Sequence, residues 1–171
     1  MVNPLFSILM AAGVVVGTVV TAGPLHAVSA PALPKPVAQV ISGYTKQCSG
    51  LGGKLKNPNA VRILAGDLDG DRKLDYLINT DQLTCDGAFT AFCANAGCQI
   101  DILLSSKGYR HPVSLQGGVP RLIQQPEQTV AEIEVDRTQC NDAPRTNACI
   151  ATYSWTKGKE HTTYEQRPRT N

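Results

Sequence analysis

Four aspartates fall within nine residues, Asp67, Asp69, Asp71 and Asp75, in the stretch from Gly66 to Leu77. Counted from Asp67 they take positions 1, 3, 5 and 9 of a short loop. A hard cation such as Ca²⁺ takes roughly 6–8 oxygen ligands, and this alternation lets a curled backbone bring successive carboxylates to one point. The backbone carbonyl of Lys73, at position 7, is the expected additional ligand, with water completing the shell. Without a counter-charge the four carboxylates repel one another. The competing expectation is a solvated acidic turn, neutralised only by Arg72 and Lys73.

Position 12 of the loop is Ile78 where an EF-hand carries a bidentate glutamate, and the loop runs into a strand-like segment instead of a helix. It resembles the aspartate-rich calcium loops of FG-GAP and VCBS-type β repeats, which join two strands and lack the position-12 acid. Those loops have glycine at position 6, where this chain has Arg72. The resemblance covers about fifteen residues and one copy, so it implies a calcium loop and not a propeller. A wider likeness runs through a helix, Cys48, Gly52-Gly53, Asp67 to Asp71, Asp75-Tyr76, Cys85 to Ala88, Phe92-Cys93 and Gly97-Cys98. In that order the chain is similar to small exported bacterial proteins of unknown function. This likeness implies an exported home and no activity.

Other catalytic patterns are missing or weak. The sequence holds no Gly-x-Ser-x-Gly elbow, His-Glu-x-x-His or P-loop. The glycine-rich Ser49 to Gly53 follows a helix where a phosphate cradle would open one, so it is expected to be a helix C-cap. Glu132 and Glu134 share a strand face with Asp136 and are expected to be a solvated outer face instead of a glycosidase pair. His111 and His161 have no nucleophile placed by any pattern and are expected at the surface. Trp155 and Tyr153 are expected in the core. Lys157, Lys159, Arg167 and Arg169 are expected to form a solvated end.

These residues must be held by elements, and composition bounds them. The chain has 171 residues, about one domain. Its 42% hydrophobic content supports a core, 5% aromatics argue against a stacking platform, and a formal charge of +2 is too balanced to imply nucleic acid. Leu5 to Ala22 is an uncharged apolar run followed by Gly-Pro and small residues, the order of a secretory signal peptide, 1–27, cleaved after Ala27 with Ala30 as the alternative. An uncleaved membrane anchor is the second expectation. No cysteine follows the apolar run, which argues against a lipoprotein.

Six cysteines lie beyond the signal, and an even count in an exported chain predicts three disulfides. Cys140 and Cys149 flank a turn-rich loop and are expected to pair. The connectivity of Cys48, Cys85, Cys93 and Cys98 stays open. Free thiols and zinc are the alternatives, zinc being disfavoured because no Cys-x-x-Cys occurs and only His111 and His161 remain after cleavage.

The expected fold class is α+β. A proline-rich lead-in, 28–35, precedes one N-terminal amphipathic helix from Pro36, carrying Val37, Val40, Ile41, Tyr44, Cys48 and Leu51 at helical spacing and ended by Gly50, Gly52 and Gly53. A mainly antiparallel β-sheet follows, with strands expected over 61–65, 74–79, 99–105, 109–115, 129–136, 149–155 and 161–165. The single domain spans 36–165, and 166–171 is expected to be a flexible tail. The functional expectation is an exported, periplasmic or secreted, non-enzymatic domain holding one structural calcium ion. The alternatives are a periplasmic protein-binding or enzyme-inhibitor module presenting the loop Asp86 to Gly97, and a hydrolase using His111 or His161. Any partner is expected to be another protein, with no membrane involved unless the anchor stays.

Overall fold

The computed structural model describes residues 32–169; the expected signal peptide and its cleavage point lie outside them. Helix α1 (Lys35–Gly50) starts after Pro34, with proline in its first turn, where a missing N–H costs nothing. It stands at 35–50 and not at the amino terminus of the chain. Its end is a Schellman motif: Gly52 takes φ 80° and its N–H donates to the Ser49 carbonyl, while the Gly53 N–H reaches the Cys48 carbonyl.

Among the described residues eleven strands follow, all paired antiparallel: β1 (Lys54–Leu55), β2 (Arg62–Gly66), β3 (Asp75–Asn79), β4 (Cys85–Asp86), β5 (Cys93–Ala94), β6 (Gly97–Leu103), β7 (Val113–Gly117), β8 (Arg121–Gln124), β9 (Thr129–Val135), β10 (Asn147–Thr156) and β11 (Lys159–Pro168). Five form one sheet in the order β2-β3-β6-β5, with β7 on the opposite side of β6. Four form a second in the order β11-β10-β9-β8, and β1 pairs β4.

The five-stranded sheet is the middle layer. Leu77, Ile100, Ile102 and Leu104 pack against Ala131, Ile133, Ala151, Tyr153 and Trp155 of the second sheet. On its other face, Ile78 and Leu103 pack with Phe92 against Val37, Tyr44 and Cys48 of α1. Adjacent residues of β3, Leu77 and Ile78, therefore fill different cores, each burial contributing about 1.5–3 kcal/mol. Trp155 and Tyr153 are core residues, as expected.

Some boundaries shift. The strand expected over 109–115 begins only at Val113, because Tyr109 and His111 take φ 60° and 56° and break extension. Strand β11 runs to Pro168, beyond the expected 161–165. Strand β8 and the short β1, β4 and β5 carry too few residues to show a period in the sequence. The disulfides are Cys48–Cys85, Cys93–Cys98 and Cys140–Cys149, the last as expected. They fit an oxidising compartment. No helix of the described residues is long and apolar enough to cross a membrane.

Candidate metal centre

The acidic loop joins β2 to β3 across one end of the two packed sheets. Leu68 is buried in the core between them, so the loop is tethered from inside. The Thr129 N–H donates to the Asp67 carbonyl at 2.7 Å and the Trp155 N–H to the Leu68 carbonyl at 3.1 Å, which ties the loop to the second sheet. Among the described residues, Asp67, Asp69 and Asp71 are the group of acidic, histidine or cysteine side chains that could hold a metal ion, with one carboxylate oxygen from each lying within 4.8 Å of the others. All three are half-buried.

The loop backbone turns around its own carboxylates. Asp67 accepts from the Gly70 N–H at 2.7 Å and the Arg72 N–H at 2.9 Å, and Asp71 accepts from the Lys73 N–H at 2.8 Å. Closing the loop requires left-handed backbone at Gly70, φ 76°, and at Arg72, φ 65°. Glycine adopts this freely and arginine does not. The Ser105 hydroxyl donates to Asp71 at 2.9 Å and the Ser106 hydroxyl to Asp69, which fastens the turn after β6 to the triad.

Asp75 stands apart from the triad. Its side chain is fully buried and accepts from the Leu68 N–H and the Ser105 N–H, each at 2.7 Å. It crosses the loop like a strut and is not gathered into the triad's group. Burial pushes its carboxyl above the ordinary value, against the pull of the two N–H groups. For Asp71, burial pushes the same way, but the Lys73 N–H, the Ser105 hydroxyl and the Lys73 ammonium outweigh it and hold the carboxyl low. The Lys73 ammonium stands 3.6 Å from Asp71. Full negative charges 4–5 Å apart repel by roughly 1–4 kcal/mol per pair, depending on the effective dielectric. The triad is thus an oxygen-only, anionic cluster of the kind that suits a hard divalent cation.

The remaining expected groups are scattered. His111 and His161 are exposed, and among the described residues neither joins a metal-type cluster. Glu132 and Glu134 are not free on a solvated face: Arg167 grips Glu132 through two bonds of 2.9 and 2.7 Å, and Arg169 bonds Glu134. These residues line a shallow groove of about 650 Å³ on the outer face of the second sheet. The loop Asp86 to Gly97 is braced by the two disulfides Cys48–Cys85 and Cys93–Cys98 and leaves Phe89 81% exposed.

One polar network was not anticipated. Asp101 is 2% exposed beneath α1 and accepts from the Tyr44 hydroxyl at 2.5 Å, the Gln99 amide at 2.9 Å and the Ser114 hydroxyl. Burial, then the Asp101 carboxylate, drives the Tyr44 phenol well above its ordinary pKa. A carboxylate set among Ile100, Ile102 and Leu103 was the signal available for it. Its donors come from a helix and a neighbouring strand, which no local pattern reveals. Neither a family model, nor a curated protein, nor a solved structure matches this chain.

Proposed function

We propose that the chain is an exported, disulfide-stabilised, non-enzymatic domain, periplasmic or secreted after removal of its signal peptide, whose Asp67–Asp69–Asp71 loop binds one structural calcium ion. The loop is of the FG-GAP and VCBS type. The observation that carries the reading is the convergence of three carboxylates within 4.8 Å on a loop bonded to both sheets. The Lys73 carbonyl and water complete the shell, and Asp75 holds the loop's shape from inside. The ion removes the repulsion within the triad and clamps β2, β3 and the turn at Ser105 against the second sheet. Extracellular modules work with calcium dissociation constants of about 10⁻⁴–10⁻³ M, so the penalty of Arg72 is compatible with occupancy.

The test is thermal unfolding in calcium and in chelator. Calcium at about a hundredfold over Kd adds ~2.7 kcal/mol of stability. The wild type gains that rise, and Asp69→Ala and Asp71→Ala lose it. A wild-type midpoint indifferent to calcium removes the reading and leaves an acidic turn. The second reading, a protein-binding or inhibitor module, is favoured by Phe89 at the tip of a turn closed by the Ala91 N–H on the Ala88 carbonyl, at 3.0 Å. A large exposed aromatic on a turn braced by two disulfides costs less backbone entropy to dock than one on a free loop.

A further inference from the structure

We propose that β11 is a self-association edge, pairing antiparallel with β11 of a second copy of this chain about a two-fold axis at Thr163. The inference is independent of the metal reading. Strand β11 has ten residues, twice the five of β2 or β7, and closes one side of its sheet. It pairs with β10 residue for residue from Lys159 to Pro168 without a bulge. Natural edges are protected by bulges, shortness, interior proline or charged side chains. This strand has no bulge and no proline before its last residue, and its charges, Lys159, Glu160, Glu165 and Arg167, leave the edge open only to a partner that complements them.

The register follows from the hairpin. Lys157 and Gly158 take φ 52° and 74°, a two-residue turn that makes Thr156 and Lys159 a hydrogen-bonded pair. By alternation His161, Thr163, Glu165 and Arg167 bond inward to β10, while Glu160, Thr162, Tyr164 and Gln166 aim their N–H and C=O groups outward. Among the described residues these outward groups meet no other strand and make no backbone bond.

With Thr163 on the axis, the strand is complementary to itself. Thr162 faces Tyr164 of the partner and Glu160 faces Gln166, twice each, which satisfies the outward groups with about eight backbone hydrogen bonds. The non-bonded pairs bring side chains closest: Thr163 meets its own copy, and His161 meets Glu165 at both ends. Lys159 meets Arg167, whose charge is already taken up by Glu132 and Glu165. On the core-facing side, Tyr164, 47% exposed, becomes the diagonal neighbour of its copy, within reach of an aromatic ring. One register thus closes the open backbone, pairs two acids with two histidines and covers an exposed aromatic.

The experiment is sedimentation velocity of the purified protein over a micromolar to submillimolar series, in calcium and in chelator. The expected result is twice the monomer mass in both. Thr162→Pro removes an outward N–H that the fold does not use, so it is expected to sediment as a monomer with unchanged circular dichroism. Glu165→Lys is expected to weaken association at least tenfold, and combining it with His161→Glu to restore it by reversing the pair. If Thr162→Pro misfolds, the Glu165 and His161 variants decide. A wild type monomeric throughout overturns the proposal. So does dimerisation that is unaffected by all of these variants.

Discussion

At the scale of single residues, Asp69 and Asp75 are expected to separate ligand from strut. Asp75→Ala strips the acceptor from the buried Leu68 N–H and from the half-buried Ser105 N–H, and the buried orphan alone costs about 1–3 kcal/mol whether or not calcium is present. Asp69→Ala is expected to lower the unfolding midpoint in calcium and to hold or raise it in chelator, where two of the triad's three repulsive pairs go with the carboxylate. Urea unfolding of both variants in both buffers reads the difference. Arg72 offers the opposite test. Left-handed backbone costs arginine about 1–2 kcal/mol, and glycine returns part of that as unfolded-chain entropy, so Arg72→Gly is expected to gain roughly 0.5–1 kcal/mol. The gain appears as a higher urea midpoint in chelator and as tighter calcium binding by calorimetry if the strain is relieved on closing the loop.

At the scale of elements, α1 is held to the β1–β4 ribbon by Cys48–Cys85 and to the middle sheet by the Tyr44–Asp101 bond. The disulfide closes a span of 37 residues, for which the chain-entropy relation gives about 4 kcal/mol, against about 2 kcal/mol for Cys93–Cys98 with its span of 5. Replacing Cys48 and Cys85 together by serine is therefore expected to lower the denaturation midpoint further than the same change at Cys93 and Cys98, in guanidinium titrations of the two variants. The sheets depend on close approach as well. A Cβ on Gly117 of β7 would stand 2.4 Å from Ile133 Cγ2 and 2.7 Å from the Glu134 carbonyl oxygen of β9. The side chain can yield and the carbonyl cannot. Gly117→Ala is expected to cost about 1–3 kcal/mol by the same measurement.

At the scale of the whole molecule, the chain's last strand is bonded back onto the domain. The Gln166 amide donates to the Cys140 carbonyl at 2.8 Å, the Arg169 N–H to the Thr146 carbonyl at 2.9 Å, and Arg167 spans β10 to reach Glu132. The Arg167 bond holds the Glu132 carboxyl below its ordinary value. A carboxylate with a lowered folded pKa stabilises the fold above the unfolded value of about 4.3, and the contribution fades as pH falls below it. Arg167→Ala is expected to cost no more than about 1 kcal/mol at pH 7, since the guanidinium is 40% exposed, and to flatten the loss of stability between pH 5 and pH 3. Unfolding midpoints of both proteins across that range check it.

How much of this was legible varied with the range of the forces involved. Local signals were enough for the helix and its glycine stop, for the hydrophobic alternation of β6 and β9, for the aspartate spacing and for Cys140–Cys149. Each depends on residues a few positions apart, where backbone geometry alone decides which side chains share a face. Tertiary structure decided the rest. It took Asp75 out of the group of acids by burying it against Leu68 and Ser105, brought Ser105 and Ser106 to the triad, and paired Cys48 with Cys85 across 37 residues. It buried Asp101 under α1 and drew Arg167 across to Glu132. The sequence by itself determined which chemistry the loop contains and what repeats locally. Which groups end up near one another depended on three layers packing together, because contacts between distant segments form only where their buried faces meet.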